Sequence, residues 1–468
     1  MTTKLVTELL QEKAYPEALL ALDPLMREEP DDPRLYFLYG QIMLESEKPA
    51  LAYRVFKELS VVEPRRDQVW VNLGKCLDDL HRQPEAQECY KRALKINPNS
   101  LQAKINMSSS AVQECNYDKA LHWANVAEKQ DPSVRSIHVN RGFALLLKGD
   151  YQRGWTEYEY GLGHTKWRDE HVYDDEPRWD GSPGKTVVVY GEQGIGDQIA
   201  FCGCINEAKQ DANIILNVAP KLKNLFARSF GLETHGDQFE RELDWPYDRK
   251  DPIQASCSVT SLQKYYRDDK ARFTGKPYLV ADPARRVAWR AILDGLGDRP
   301  NIGIAWTGGN TETQRQARST SLEALRPIFE AVDANWIDLE YKDRSEDLEA
   351  FDVPIHSYPW ATQTKDYDDT AALVAELDLV ISVPTSVVHL AGGLGVECWC
   401  MLNRKNHFVF GIEGEGMDWY ESVRLFRRDK DEWTEQVQSV ADQLRGWYET
   451  RRFDSGRTGA PGIVRTGC

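Results

Sequence analysis

Two glycine-rich turns carry the residue types that could do chemistry. The first is GEQGIGD, Gly191 to Asp197, which follows the apolar run TVVVY and opens a helical segment. Such a turn brings backbone amides up to an anion, or leaves room for a ligand to approach. Its glycine order is G-x-x-G-x-G, not the G-x-G-x-x-G of a dinucleotide fingerprint. The next strand ends NVAPK, without the acid that would hold a ribose. The turn does not end in G-K-[ST] either, so it is not a P-loop. The small and flexible positions are Gly191, Gln193, Gly194 and Gly196, and after them comes Asp197. A carboxylate there stands above the strand ends where open α/β sheets bind ligands. It reads as a helix cap or as a general base, and the helix dipole is expected to keep it ionised either way.

The second turn lies in ISVPTSVVHLAGGLGVECW, Ile381 to Trp399. A strand is expected to end at Val383 and a helix to start near Ser386. Thr385 and Ser386 then gather two hydroxyls and free helix amides at one point, a design suited to a diphosphate. Ala391, Gly392 and Gly393 allow close helix packing. His389 stands one turn in on an otherwise apolar face, either as a core residue or as a functional one. The Cys202/Cys204 and Cys398/Cys400 pairs lack zinc spacing and read as small buried hydrophobes. Asp366-Tyr-Asp368 leads straight into a helix and reads as its cap, so no metal site is expected.

The elements that must position these residues are short apolar strands alternating with helices. TVVVYG and NIILNV bracket a helical segment and form one βαβ unit. A second set runs NIGIAW, NWIDLE, LDLVISV and ECWCML. The pattern predicts Rossmann-like halves over 185–285 and 286–430, a C-terminal helix over 431–455 and a Gly-rich tail over 456–468. The segment 166–184, aromatic and charged with Pro and Gly, is expected as a surface linker.

Upstream, residues 1–165 repeat with a period of 34. Pro30, Pro64, Pro98 and Pro132 keep this interval, as do Ala18, Ala52, Ala86 and Ala120, and Gly40, Gly74, Ser108 and Gly142. The small residues let two helices of a pair approach, and the proline stops the second helix. LGKCLDDLHRQPEAQECYKRALKINPNS, Leu73 to Ser100, resembles the tetratricopeptide repeat. The chain reads as an α-helical solenoid followed by an α/β region. Stacked repeats of this kind present a concave face, which predicts recognition of a polypeptide.

Composition bounds the rest. A chain of 468 residues, 41% hydrophobic and 28% charged, is expected to form two to four globular domains. Its formal net charge of −16 argues against general nucleic-acid or anionic-membrane binding. The N-terminus is an amphipathic helix rather than a signal peptide, and no apolar run is long enough to span a bilayer. The odd count of nine cysteines shows no disulfide framework, which fits a cytoplasmic setting.

Three stretches together, GEQGIGDQIAF, WTGGNTETQRQARSTSL and DYDDTAALVAELDLVISVPTSVVHLAGGLG, resemble bacterial TPR-containing glycosyltransferases. That group is related to the heptosyltransferases and similar in architecture to O-linked N-acetylglucosamine transferases. MDWYESVRLFRR, Met417 to Arg428, resembles the group's downstream aromatic and basic stretch. The resemblance covers nearly the whole chain. It implies a GT-B fold and metal-independent transfer of a sugar from a nucleotide-diphosphate sugar, the co-substrate, with no other cofactor. The diphosphate would sit on Thr385, Ser386 and the following amides near His389, Gly392 and Gly393. The base would contact Leu339, Glu340 and Tyr341, and Arg315, Arg318 or Lys342 would neutralise the leaving group. Asp197 and His389 are the implied catalytic residues. Gly191, Gln193, Gly194 and Gly196 would line the acceptor side. Pro384 stands where the group commonly has an acid, and the first Rossmann half is short, which leaves acceptor recognition to the repeats. Two other readings stay open: a repeat scaffold with a degenerate transferase-like domain, and a transferase whose acceptor is a glycan or lipid-linked sugar.

Overall fold

The computed structural model describes residues 2–173, 175–238, 240, 243–309, 318–404, 406–428 and 432–457, the last six as backbone. The chain divides into two compact units, Met1–His164 and Thr165–Cys468.

The first unit is built of antiparallel helix pairs: Thr3–Gln11 with Tyr15–Glu28, Pro33–Glu45 with Pro49–Val62, Asp67–Asp79 with Gln83–Ile96, Leu101–Gln113 with Tyr117–Glu128, and Arg135–Leu147 with Tyr151–Tyr158. The small residues do what their spacing predicts. A Cβ on Gly40 would lie 2.8 Å from the Phe56 ring, and one on Gly74 would lie 2.5 Å from the Tyr90 ring. Ser108 fits the same slot by donating its hydroxyl to the Ala120 carbonyl at 2.8 Å. The turn inside each pair also repeats. Lys13, Glu47, His81, Cys115 and Gly149 all take the left-handed conformation, with φ of 60°, 59°, 60°, 61° and 76°. Neighbouring repeats are tied through Asp78, which accepts from Tyr90 Oη at 2.7 Å and from Ser110 Oγ at 2.8 Å. Burial pushes this carboxyl up to about 6.

The second unit holds two sheets. The first contains β1 (Thr186–Tyr190), β2 (Asn213–Asn217), β3 (Thr234–His235) and β4 (Ala255–Ser258), all parallel, in the order β3-β2-β1-β4. The second contains β5 (Asn301–Ala305), β6 (Asn335–Asp338), β7 (Ile355–His356), β8 (Leu379–Ser382), β9 (Cys398–Met401), β10 (Gly416–Met417) and β11 (Tyr420–Phe426). Their order is β10-β11-β9-β8-β5-β6-β7, and only β10 runs antiparallel to its neighbour. Continuous apolar runs such as NIGIA and LVIS are the mark of parallel strands covered on both faces. The C-terminal helix Thr434–Arg457 covers one face of the second sheet, burying Val437, Val440 and Leu444 against Ile304, Ile381 and Trp399.

Most described residues of the 166–184 segment are exposed, and a few buried side chains anchor it. Arg168, Tyr173 and Trp179 are buried, Arg178 bridges to Ser256 of β4, and Trp179 N–H donates to Ser256 O at 2.8 Å. Tyr173 and Trp179 are buried in the first lobe while Trp167 is exposed, and the segment's backbone lies along the open edge of β4.

Candidate functional site

In the second sheet the chain leaves β5 toward β6 and β7 on one side, then returns to lay β8 and β9 on the other. This reversal opens a crevice between the ends of β5 and β8, where such sheets bind ligands. Gly308, just after β5, approaches so closely that an added Cβ would lie 3.0 Å from Arg318 O and 3.1 Å from Pro384 O. Arg318 Nη2 donates to that Pro384 carbonyl. Beyond Pro384, Thr385 is the N-cap of the helix Ser386–Leu394, with its Oγ1 accepting from Val387 N–H at 3.3 Å. Ser386 Oγ stands 2.9 Å from Tyr367 Oη.

His389 is buried one turn into this helix, with Nδ1 3.4 Å from Tyr420 Oη. Burial, aided by the Arg318 charge, pulls its imidazole down to about 3, so the ring is neutral at any physiological pH. His407 is drawn down to about 3 by burial and by the same cation. Tyr420 Oη is 3.1 Å from Tyr278 Oη, which in turn donates to Ile199 O at 2.6 Å. A file of polar groups thus runs from His389 to the helix of the first glycine turn.

That helix spans Ile195–Phe201, with Gly194 as its N-cap, and Asp197 is its third residue rather than its cap. The expected effect of the dipole is outweighed. Burial pushes the Asp197 carboxyl up to about 6; Arg318 and the amides of Gly194 and Asp197 pull it down, while the Glu192 carboxylate pushes it up. The two turns meet: a Cβ on Gly196 would lie 3.2 Å from His389 Cδ2 and 3.3 Å from Ser386 Cα. Asp197, Arg318, Ser386 and His389 therefore lie together where the two glycine turns meet.

Other expected residues serve the protein itself. A Cβ on Gly191 would meet Gln198 Oε1 at 2.3 Å, so that clearance belongs to a side chain of the same lobe. Gln198 braces the turn by donating to Gln193 O and Gln238 Oε1, both at 2.8 Å, and Gln193 Nε2 donates to Thr260 Oγ1 at 2.9 Å. Only Gly194 of the turn is exposed. Gly392 packs against the Tyr420 ring and Gly393 against Leu279, where added Cβ atoms would lie at 2.3 and 2.8 Å. Leu339 is buried. Glu340, also buried, accepts from Trp306 N–H at 2.8 Å, from Thr307 N–H at 2.7 Å and from the Thr307 hydroxyl. It fastens β6 to the loop after β5. Tyr341 Oη donates to Gly309 O at 3.2 Å, and the exposed Lys342 lies over the Tyr341 ring. Arg315 lies outside the described residues.

Sequence reasoning missed Tyr278, Tyr367, Tyr420, Arg168 and Glu192. The first three act through contacts between distant residues, Tyr278 and Tyr420 being 142 apart. Glu192 stands inside the quoted turn, and an acid directly after a buried strand was the available signal. Among the described residues no cluster of three or more His, Cys, Asp or Glu could hold a metal ion, and no helix is long and apolar enough to cross a membrane.

Residues 68–100 match the tetratricopeptide repeat model. Over 472 residues the chain is 24% identical to protein FlbA of Caulobacter vibrioides, covering 87% of this chain and 77% of that protein. A 100-residue stretch is 23% identical to the general transcriptional corepressor ssn6 of Schizosaccharomyces pombe, covering 21% of this chain and 9% of that protein. Solved structures with similarity include TTC0263, a thermophilic TPR protein of Thermus thermophilus (TM-score 0.32, 18% identity, 35% of this chain and 89% of that one). Another is MamA (TM-score 0.29, 15% identity, 33% and 91%). One N-terminal helix pair is matched by the tetratricopeptide repeat model, and the other pairs share its period and packing, so residues 1–164 form a solenoid of tetratricopeptide-like repeats.

Proposed function

We propose that the chain is a glycosyltransferase, moving a sugar from a nucleotide-diphosphate sugar to an acceptor hydroxyl on a protein recognised by the repeats. The observation that carries this reading is a carboxyl poised near 6 set beside a capped helix N-terminus and a half-buried arginine. In this scheme Asp197 takes the acceptor hydroxyl proton, the oxygen attacks the anomeric carbon, and the bond to the diphosphate breaks. Arg318 and the helix at Ser386 receive the charge that develops on the leaving group. His389 stays neutral, so it serves as a hydrogen-bonding and packing group and not as the acid. Acceptor recognition by the repeats follows from the protein-binding role their concave faces commonly play.

The test is a panel of nucleotide sugars, read by hydrolysis and by thermal shift. Turnover of one donor, with a matching shift, is expected. Neither turnover nor a shift with any nucleotide would leave a repeat scaffold carrying a degenerate domain.

A further inference from the structure

The run from Asp366 to Asp369, expected as a helix cap, does more than cap. Asp366 Oδ1 does accept from the Asp368 N–H at 3.0 Å, ahead of the helix Asp368–Val374. The remaining groups of the run reach out of the lobe of the second sheet. Asp368, which is buried, accepts from Arg228 Nη1 at 3.1 Å and from Arg228 Nη2. Arg228 stands on the helix Lys223–Phe230 of the first lobe. The Tyr367 N–H donates to Lys221 O at 3.0 Å, and Asn224 Nδ2 donates to Asp366 Oδ2 at 3.2 Å. The chain that crosses from one sheet to the other is held in the same place. Arg228 Nε donates to Val280 O at 2.8 Å, and the Val280 N–H donates to Ser229 Oγ at 2.9 Å. Asp369 pairs with Arg285, on the helix that follows the crossing. A bidentate pair fixes direction as well as charge, and removing its arginine would leave a buried carboxylate alone.

The same tyrosine touches the second glycine turn. Its Oη stands 2.9 Å from Ser386 Oγ, and the surroundings decide which oxygen donates. Tyr367 is 4% exposed, and Ser386 Oγ is the partner of its hydroxyl among the described residues. Burial pushes the phenol up to about 12, so it keeps its proton. A buried hydroxyl gives its proton to the partner it has, so Tyr367 donates. Ser386 is half-buried at the helix N-terminus, and its own proton stays available.

We infer that this run is a clasp between the two lobes, and that Tyr367 is a positioning residue within it, turning the Ser386 hydroxyl proton outward to an anionic oxygen. The clasp stands on the lobe contacts alone; the anion rests on the transferase reading.

Hydrogen exchange of the full chain, read by mass spectrometry, tests the clasp. Arg228→Met should speed exchange in residues 219–230 and 364–374 together, by about tenfold. Arg228→Lys keeps the charge but not the fork and should do so by less. Melting curves check folding, and Arg228→Lys gives the reading should Arg228→Met fail to fold. Calorimetric titration with UDP, ADP, GDP and inorganic pyrophosphate tests the tyrosine. At least one should bind, and Tyr367→Phe should weaken it about threefold to tenfold. In a Ser386→Ala chain the Tyr367→Phe change should add nothing, whereas a merely structural tyrosine would cost the same in both backgrounds. Exchange unchanged in folded Arg228 variants, exchange raised in one segment alone, or additive losses at Tyr367 and Ser386 would overturn the inference. If no anion binds the native chain, the transferase reading and the outward role of Tyr367 fall together, and exchange alone decides the clasp.

Discussion

Asp197 shows burial overruling a helix dipole. A first-turn carboxylate is usually held acidic by the amides around it, yet here desolvation lifts it to about 6. The folded state therefore holds this proton more tightly than the unfolded chain does. The cost is absent below about pH 4, grows as the pH rises, and is complete above about pH 6. Asp197→Asn should accordingly raise stability at pH 7 by about 1–3 kcal/mol, measured by denaturant unfolding, while lowering transfer by about 10²-fold or more. Transfer by the native chain should fall as the pH drops through about 6, with no inflection from His389. A stable, fully active Asn variant would remove Asp197 from the mechanism. The position of Asp197 was legible because it follows a glycine turn between a strand and a helix. Its proton affinity was not, because that depends on Arg318, far along the chain, and on how deeply the cleft excludes water.

The helix pairs were the most legible elements, because each repeat solves the same packing problem with the same residue types. Gly40 faces Phe56 as Gly74 faces Tyr90, and the interval alone announced it. What the interval hid was the turn conformation, since Lys13, Glu47, His81 and Cys115 share no chemistry and share only a positive φ. Glycine occupies that slot once, at Gly149, where an added Cβ would touch nothing. Glu47→Gly should stabilise the unit by about 0.5–1 kcal/mol, the relief of left-handed strain less the added chain entropy. Gly149→Ala should cost about 1 kcal/mol, and chemical denaturation of the pair of variants measures both. Opposite signs are required; a destabilised Glu47→Gly would mean that its side chain matters more than its backbone. The strands of the second unit were legible from their apolar runs, but their order was not. The switch point of each sheet, where the strand order reverses, exists only once β4 or β8 has crossed over, which no local pattern records.

At the scale of the molecule, the boundary at His164 separates a unit of repeats from a unit of two sheets. Removing residues 1–164 should leave nucleotide-sugar hydrolysis intact and abolish transfer onto a protein acceptor, as read by mass shift of that acceptor. Undiminished protein transfer would take recognition away from the repeats. The same boundary decides what can be cut, since Arg168 lies just beyond it and holds Ser258 and Ser261 from 90 and 93 positions away. This has a consequence for synthesis on the ribosome. The repeats pack mainly against their sequence neighbours, so each pair can close as it emerges. The first sheet must wait, because its switch point is unfinished until β4 and the serines after it, which Arg168 holds, have left the exit tunnel.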